Sequence, residues 1–292
     1  MKLFVVPNLD KKNCRNYTET ACEILINNNA TVFMNEMYQR DFSEIKGIEY
    51  VYNDSVIADC DFILAVGGDG TILRCSDLAR KFKKPLLGLN CGRLGFMATL
   101  EHDEIELLND FCKGKYELVK RMMIDAEVYY EDGTTKVVTA LNDIVLTKNY
   151  GCKIADFTVS KNDNVISSLR ADGLVFSTPT GSTAYSLSAG GPIIEPDMDC
   201  IEFTQICPHS LFARSMIFSD NSVIEVRFKA NNNANVLLNI DGVEIDKLSN
   251  NDYVKILKSD DYVEIVDIKG GSFFKSVNRK LMQPFKEVLE EV

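Results

Sequence analysis

The chain has 292 residues, 46% of them hydrophobic and 26% charged, which fits an ordinary globular protein of one large domain or two moderate ones. Its net charge of −11 argues against a nucleic-acid partner, because phosphate backbones demand clustered Lys and Arg and no such run occurs. Met1–Pro7 is too short for a signal peptide, no apolar run approaches membrane length, and nine cysteines are scattered without a C-x-x-C pair, so the expectation is a cytoplasmic chain with reduced thiols and no membrane contact.

Taken in order, Leu3–Val6 reads as a strand entering a polar loop, Asn8–Asn13. Tyr17, Ala21, Ile24 and Leu25 recur at helical spacing, and Asn27–Asn29 stops that helix. Thr31–Met34 is a short strand, whereas Tyr38–Ile57 has no clear period and carries no assignment. Cys60–Val66 is a buried strand, Thr71–Phe82 a helix, and Pro85–Asn90 the next strand. Strands alternating with helices imply a parallel sheet, Rossmann-like, with ligands beyond the carboxyl ends of its strands. A polar helix at Asp103–Cys112 closes this part.

The character then changes. Met122–Tyr130, Lys136–Thr147, Ile154–Ser160, Val165–Leu169, Ser222–Lys229, Val236–Ile240, Asp252–Leu257 and Val263–Ile268 read as strands joined by polar turns, an all-β half of sandwich type. Phe273–Leu289 returns to helical spacing. The expected organisation is an α/β domain at 1–110, a β-rich domain at 111–271 and a C-terminal helical segment at 272–292 packing back on the first domain.

Three stretches carry chemistry. Gly67-Gly68-Asp69-Gly70-Thr71 joins a buried strand to a helix start. Its glycines let a ligand approach the backbone, and free N–H groups with a positive dipole end favour an anion. Asp69 is the odd member: beside phosphate a carboxylate must hold a metal or take a proton, unless it only caps the helix. Asn90-Cys91-Gly92-Arg93-Leu94-Gly95-Phe96 repeats the pattern of a strand end followed by glycines, and Asn90 can both donate to and accept from a ribose or phosphate ligand. Asp172–Pro192 runs from a strand into a hydroxyl-rich turn, with Tyr185 placed either to stack on a base or to serve as a core aromatic. With only His102 and His209 in the chain, a histidine-rich metal site is excluded, and no histidine is placed by motif to activate a serine.

Together these stretches, with Asn142-Asp143, Cys207-Pro208-His209-Ser210-Leu211 and Asp241-Gly242, resemble the NAD kinase family. The resemblance spans most of the chain in the family's order. It implies a kinase that phosphorylates the adenosine 2′-hydroxyl of NAD to give NADP, drawing on ATP, another nucleoside triphosphate or polyphosphate, with Mg²⁺ or another divalent cation carried by the donor phosphates. It implies Asp69 as general base, Gly67, Gly68, Gly70, Thr71 and Arg74 at the donor phosphates, and Asp69, Gly70, Phe96, Asn142, Asp143, Asp172, Thr180, Thr183, Ala184, Tyr185, Ser188 and Asp241 at NAD. It also implies a homodimer or homotetramer in which Asp241 acts in trans.

Three positions depart from the family pattern. Asp143 stands where Glu is usual, which shortens the reach by about 1.5 Å. Ser215 follows Arg214 where Pro is common, and Gly242 has no side chain to discriminate ligands. Two rivals are a lipid kinase sharing the Gly-Gly-Asp-Gly turn and a non-catalytic sensor of NAD or NADP. Retention of Asp69 beside phosphate weighs against the sensor.

Overall fold

The computed structural model describes residues 1–92, 95–149, 154–210, 213–230, 235–270 and 273–282. They fall into two compact units, Met1–Lys120 with Val263–Val292, and Arg121–Tyr262.

The first unit is built on a parallel sheet of β1 (Lys2–Pro7), β2 (Thr31–Met34), β3 (Ile48–Tyr50), β4 (Phe62–Gly67), β5 (Leu86–Asn90) and β6 (Leu100–Glu101). The spatial order is β3-β2-β1-β4-β5, with β6 beside β5. Every residue of β4 and β5 is buried. Burial on both faces explains why these strands read as continuous apolar runs without alternation. Helices α1 (Cys14–Asn27), α2 (Asp54–Asp59), α3 (Asp69–Phe82) and α4 (Leu108–Cys112) belong to the same unit. The chain leaves β1 toward β2 on one side and reaches β4 on the other, so the order reverses between β1 and β4. At such a reversal the loops after the two strands diverge and leave a crevice at their carboxyl ends. The loops in question are Asn8–Asn13 and Gly67–Gly70.

The stretch left unassigned from sequence holds a 3₁₀ turn at Glu36–Tyr38, then β3 and α2. Asn53 caps α2 by accepting the Val56 N–H at 2.8 Å. These elements are too short for periodicity to detect. The expected helix at 103–112 is a 3₁₀ turn, His102–Leu107, running into α4.

The second unit contains two sheets. One runs β11 (Asn164–Ala171), β10 (Ala155–Lys161), β15 (Ile224–Ala230) and β18 (Tyr253–Asp267), with β7 (Glu117–Tyr129) against β18 and β8 (Thr135–Ala140) against β7. The other runs β14 (Met216–Ser219), β13 (Cys200–Ile206), β12 (Gly173–Ser177), β9 (Asp143–Lys148), β16 (Val236–Ile240) and β17 (Val243–Leu248). Met122, Ile124, Phe157 and Val226 of the first sheet share a buried cluster with Ile144, Leu174, Phe176 and Phe203 of the second. This is the expected sandwich.

Two strand assignments differ from the sequence reading. The run 136–147 is two strands, because the chain breaks at Leu141-Asn142, where the Asp241 carboxylate takes the backbone amides of residues 141–143. Conversely, 252–257 and 263–268 are parts of one strand. The polar Lys258–Asp261 looks like a turn, yet the strand runs straight through it, with buried Val254 and Ile256 before it and buried Ser259, Val263 and Ile265 in and after it, the inward phase shifting by one residue between Ile256 and Ser259. Lys258 is accommodated by ion pairs to Asp199 and Asp220, each 2.8 Å. The last residues of β18 return to the first unit, where Ile265 pairs in parallel with Leu86 of β5. Helix α6 (Phe273–Met282) follows in that unit, and the rest of the proposed C-terminal segment, residue 272 and 283–292, lies outside the described residues.

Candidate active site

In the first unit, β4 ends at Gly67 and α3 begins at Asp69, with extended Gly68 as its N-cap. The tight turn needs glycine at 67: a Cβ there would lie 2.3 Å from Thr71 Oγ1. Thr71 Oγ1 also accepts a 2.9 Å hydrogen bond from Asn8 Nδ2, which ties the loop after β1 to the start of α3. Nothing lies within 4 Å of a Cβ built on Gly70. No protein atom therefore requires glycine at 70, and the space in front of its backbone is open.

Asp69 is the first residue of α3 and is half-buried. Its carboxylate accepts the backbone N–H of Phe96 at 2.8 Å and of Met97 at 3.2 Å. A carboxylate can accept about four hydrogen bonds, so these two fix its orientation rather than define its whole role. Gly95 allows the approach, since a Cβ there would lie 2.0 Å from Asp69 Oδ1. The second glycine motif is thus joined to the first through the acidic side chain, although Arg93 and Leu94 lie outside the described residues.

Asn90 is fully buried. Its Nδ2 donates to Glu101 Oε2 at 2.7 Å, and its Oδ1 accepts the Gly92 N–H at 3.0 Å. Both ends of the amide thus order the turn after β5, and the partner that does this, Glu101, carried no signal in the sequence. Arg74 is exposed on the second turn of α3, near enough to Tyr38 for its charge to be felt at the phenol.

In the second unit, Asp241-Gly242 forms the two-residue turn between β16 and β17 with φ of 51° and 81°. Positive φ at both positions is the hairpin turn for which Asp-Gly is favoured. Asp241 Oδ2 accepts the Leu141 N–H at 2.9 Å, and Oδ1 accepts those of Asn142 at 2.8 Å and Asp143 at 3.0 Å. Within its own chain, therefore, Asp241 shapes the segment that presents Asn142 and Asp143.

The hydroxyl-rich stretch closes over that segment. Asn142 O accepts the Thr178 N–H at 2.9 Å, and Thr178 Oγ1 donates to Leu141 O at 2.6 Å. The expected helix 182–189 is a 3₁₀ turn, Gly181–Thr183, followed by the short α5 (Tyr185–Ser188). Ala184 breaks the helix between them with φ −101° and ψ −123°. Asn142 Oδ1 and Thr180 Oγ1 are buried without a protein hydrogen-bond partner. Orphaned polar atoms of this kind mark places where a ligand or water completes the bonding. Tyr185 is 43% exposed and so is not a core aromatic. Ser188 is also exposed, Thr183 and Ala184 are half-buried, and Asp172 pairs with Lys148 at 2.6 Å.

Asp143 is 5% exposed. Burial first, and then the charge of Asp241, push its carboxyl up to about 7, against the opposing pull of the Tyr185 backbone N–H. The folded state therefore holds the proton more tightly than the unfolded chain. Stability from this group is full below about pH 4 and is lost as pH rises toward about 7. Asp143→Asn should accordingly raise the melting temperature relative to the parent at pH 8 but not at pH 4, read in a melting series across that range.

Beneath the same loop lies a buried polar cluster that the sequence did not reveal. Glu202 Oε1 accepts from Ser186 Oγ at 2.7 Å and Thr204 Oγ1 at 3.0 Å, and Thr204 pairs with Ser215 at 2.9 Å. Ser215, the departure from the family's usual Pro, is thus part of this hydroxyl chain. Burial holds the Glu202 carboxyl above its usual range against those hydrogen bonds. Glu202→Gln, which keeps shape and acceptor, should cost less stability than Glu202→Ala by more than about 1 kcal/mol in urea unfolding.

Among the described residues no group of three or more His, Cys, Asp or Glu could hold a metal ion, and no helix is long and apolar enough to cross a membrane.

Residues 3–116 match the ATP-NAD kinase N-terminal domain and residues 141–268 the ATP-NAD kinase C-terminal domain. The chain is 35% identical over 283 residues to the NAD kinase of Caldanaerobacter subterraneus subsp. tengcongensis, spanning 97% of this chain and 99% of that one. An NAD kinase from Archaeoglobus fulgidus, solved in complex with ATP, superposes with a TM-score of 0.70 at 25% identity, covering 97% of this chain and 99% of that one. Yeast NADH kinase complexed with NADH shares the fold with a TM-score of 0.86 at 22% identity, covering 98% and 89%. With both domains matched in order and close relatives aligned end to end, the chain belongs to the NAD kinase family, enzymes that phosphorylate NAD to NADP.

Proposed function

We propose that Asp69 is the general base of this NAD kinase, taking the proton from the adenosine 2′-hydroxyl of NAD as the terminal phosphoryl group of the donor arrives. The observation that carries the reading is the fixed carboxylate at the glycine turn, oriented by the Phe96 and Met97 amides at the start of α3. Phosphoryl transfer is mostly positioning and charge neutralisation, so a cradle of amides with one oriented base supplies what the reaction requires. The donor is a nucleoside triphosphate or polyphosphate, and its phosphates meet the Gly67–Thr71 turn and Arg74. Mg²⁺ would be carried by the donor phosphates rather than held by a protein cluster, and would supply neutralisation of charge on the transferring group.

In the second unit Asn142 and Asp143 take the ribose and adenine edges, supported by the orphaned Asn142 Oδ1. Asp172, Thr180, Thr183, Ala184, exposed Tyr185 and Ser188 shape the remainder of the NAD-binding surface of that unit, and Phe96 is an NAD contact that the first unit contributes. The protein works in the cytoplasm, which the eight free cysteines among the described residues support. It acts as a homodimer or homotetramer. Exposed Ile217 and Val243, on the edge strands β14 and β17, support that reading, and light scattering after gel filtration tests it.

The deciding experiment measures NADP formation with ATP, with polyphosphate and with no donor. Formation that requires a donor supports the reading, and its absence with every donor overturns it. Gly70→Ala gives a sharper result, because its added methyl meets no protein atom. The expected outcome is an unchanged melting temperature with a donor KM raised several-fold.

A further inference from the structure

The loop after β1 reads from sequence only as a polar connection, yet it is pinned directly against the phosphate turn. Asn8 N donates to Val66 O at 2.9 Å, and Asn8 Nδ2 donates to Thr71 Oγ1 at 2.9 Å. Lys11 N then closes on Asn8 O at 3.2 Å, Asn13 turns the chain with φ of 63°, and α1 begins at Cys14. Cys14 Sγ donates to Val66 O at 3.2 Å, which ties the far end of the loop to the same strand.

This places the Lys11 ammonium over both glycine turns at once. A Cβ built on Gly68 would lie 3.2 Å from Lys11 Nζ, and one built on Gly92 would lie 3.7 Å from it. The charge is also felt by the thiols of Cys14 and Cys91 on either side. Among the described residues Lys11 forms no ion pair with a carboxylate, although the chain carries a net charge of −11. The position is the crevice between β1 and β4, where the strand order reverses and ligands of parallel sheets sit. A long cationic side chain held against two glycines, Gly68 and Gly92, beside the N-terminus of α3, is suited to a polyanion that spans those glycines.

From this geometry we infer that Lys11 is a donor-binding residue: its ammonium contacts the linked terminal phosphates of the phosphoryl donor as they lie across Gly68 and Gly92. The inference rests on the kinase reading above; of the two lysines in the loop after β1, Lys11 and Lys12, it names the one whose ammonium lies against Gly68 and Gly92. Lys11 neutralises donor charge both before and during transfer, so its loss should raise donor KM more than it lowers turnover.

The test compares Lys11→Ala, Lys11→Arg and the parent protein in two measurements. In steady-state NADP formation with Mg·ATP, Lys11→Ala should raise donor KM by roughly 10- to 100-fold, the range of a charge-assisted phosphate contact. KM for NAD should stay within about twofold, Lys11→Arg should recover most of the loss, and the melting temperature should not move because the side chain is exposed. In calorimetric titration with inorganic tripolyphosphate, affinity should fall in parallel in the alanine variant, with a weaker dependence on salt. Equal donor KM or equal tripolyphosphate affinity in parent and Lys11→Ala overturns the inference. Failure of the parent to make NADP would overturn the kinase reading instead, and the tripolyphosphate titration would still decide Lys11.

Discussion

Asp69→Asn should lower turnover by about 10²- to 10⁴-fold, the contribution of a positioned general base, while NAD affinity stays within a few-fold. The structure adds a requirement to that experiment. The aspartate accepts two backbone amides, from Phe96 and Met97, and an asparagine has only one acceptor oxygen. One amide would then face an NH₂ group, so some loosening of residues 95–97 accompanies the loss of the base. Two measurements separate these effects. A melting temperature lowered by only a few degrees, with NAD binding retained by calorimetry, assigns the lost turnover to proton transfer. Turnover close to that of the parent would sink the assignment of the base. Enlarging Gly95 offers a complementary probe, because its Cβ would press on Asp69 Oδ1 while the carboxylate remains present. Gly95→Ala should therefore also depress turnover, by displacing the base rather than removing it.

The largest effect on stability is expected at Gly181. A Cβ there would lie 2.1 Å from Asn142 O and 2.7 Å from Asn142 Cα, and these are backbone atoms that no rotamer change can move. The segment they belong to is fixed on both sides: Asp241 holds its amides, and Thr178 binds the carbonyls of Leu141 and Asn142. Overpacking in a well-packed region costs ~1–3 kcal/mol and more where neighbours cannot give, so Gly181→Ala should cost at least ~3 kcal/mol. Domains hold only ~5–15 kcal/mol in all, so the midpoint of urea unfolding should fall markedly and NAD KM should rise in whatever remains folded. Gly70→Ala is the control, and equal midpoints for the two variants would refute this account of the loop.

How much of this was readable beforehand depended on the range of the interaction concerned. The glycine turn after β4, the switch from parallel to antiparallel strands and the family itself were legible, because each rests on residues close together in the chain. A buried parallel strand announces itself as an apolar run, and a strand-to-helix turn that needs close approach announces itself by glycine. The break inside 136–147 was not legible, since the group that ends the strand is the carboxylate of Asp241, about a hundred residues later. Nor was the continuity of β18, because Lys258 is made acceptable there by Asp199 and Asp220 from other parts of the chain.

The sequence by itself determined that a carboxylate stands between glycines in the turn after β4 and, through its motifs, which family the chain belongs to. A carboxylate between glycines is a local fact that folding cannot change. Only the tertiary structure decided how that acid is aimed, through amides of residues 96 and 97, and what surrounds it. It likewise made Asp241 the clamp of 141–143, raised Asp143 toward neutrality, and brought Lys11 over Gly68 and Gly92. The physical reason is common to all of these. Hydrogen-bond direction, desolvation and charge proximity depend on distances between segments, and a one-dimensional pattern carries no such distances.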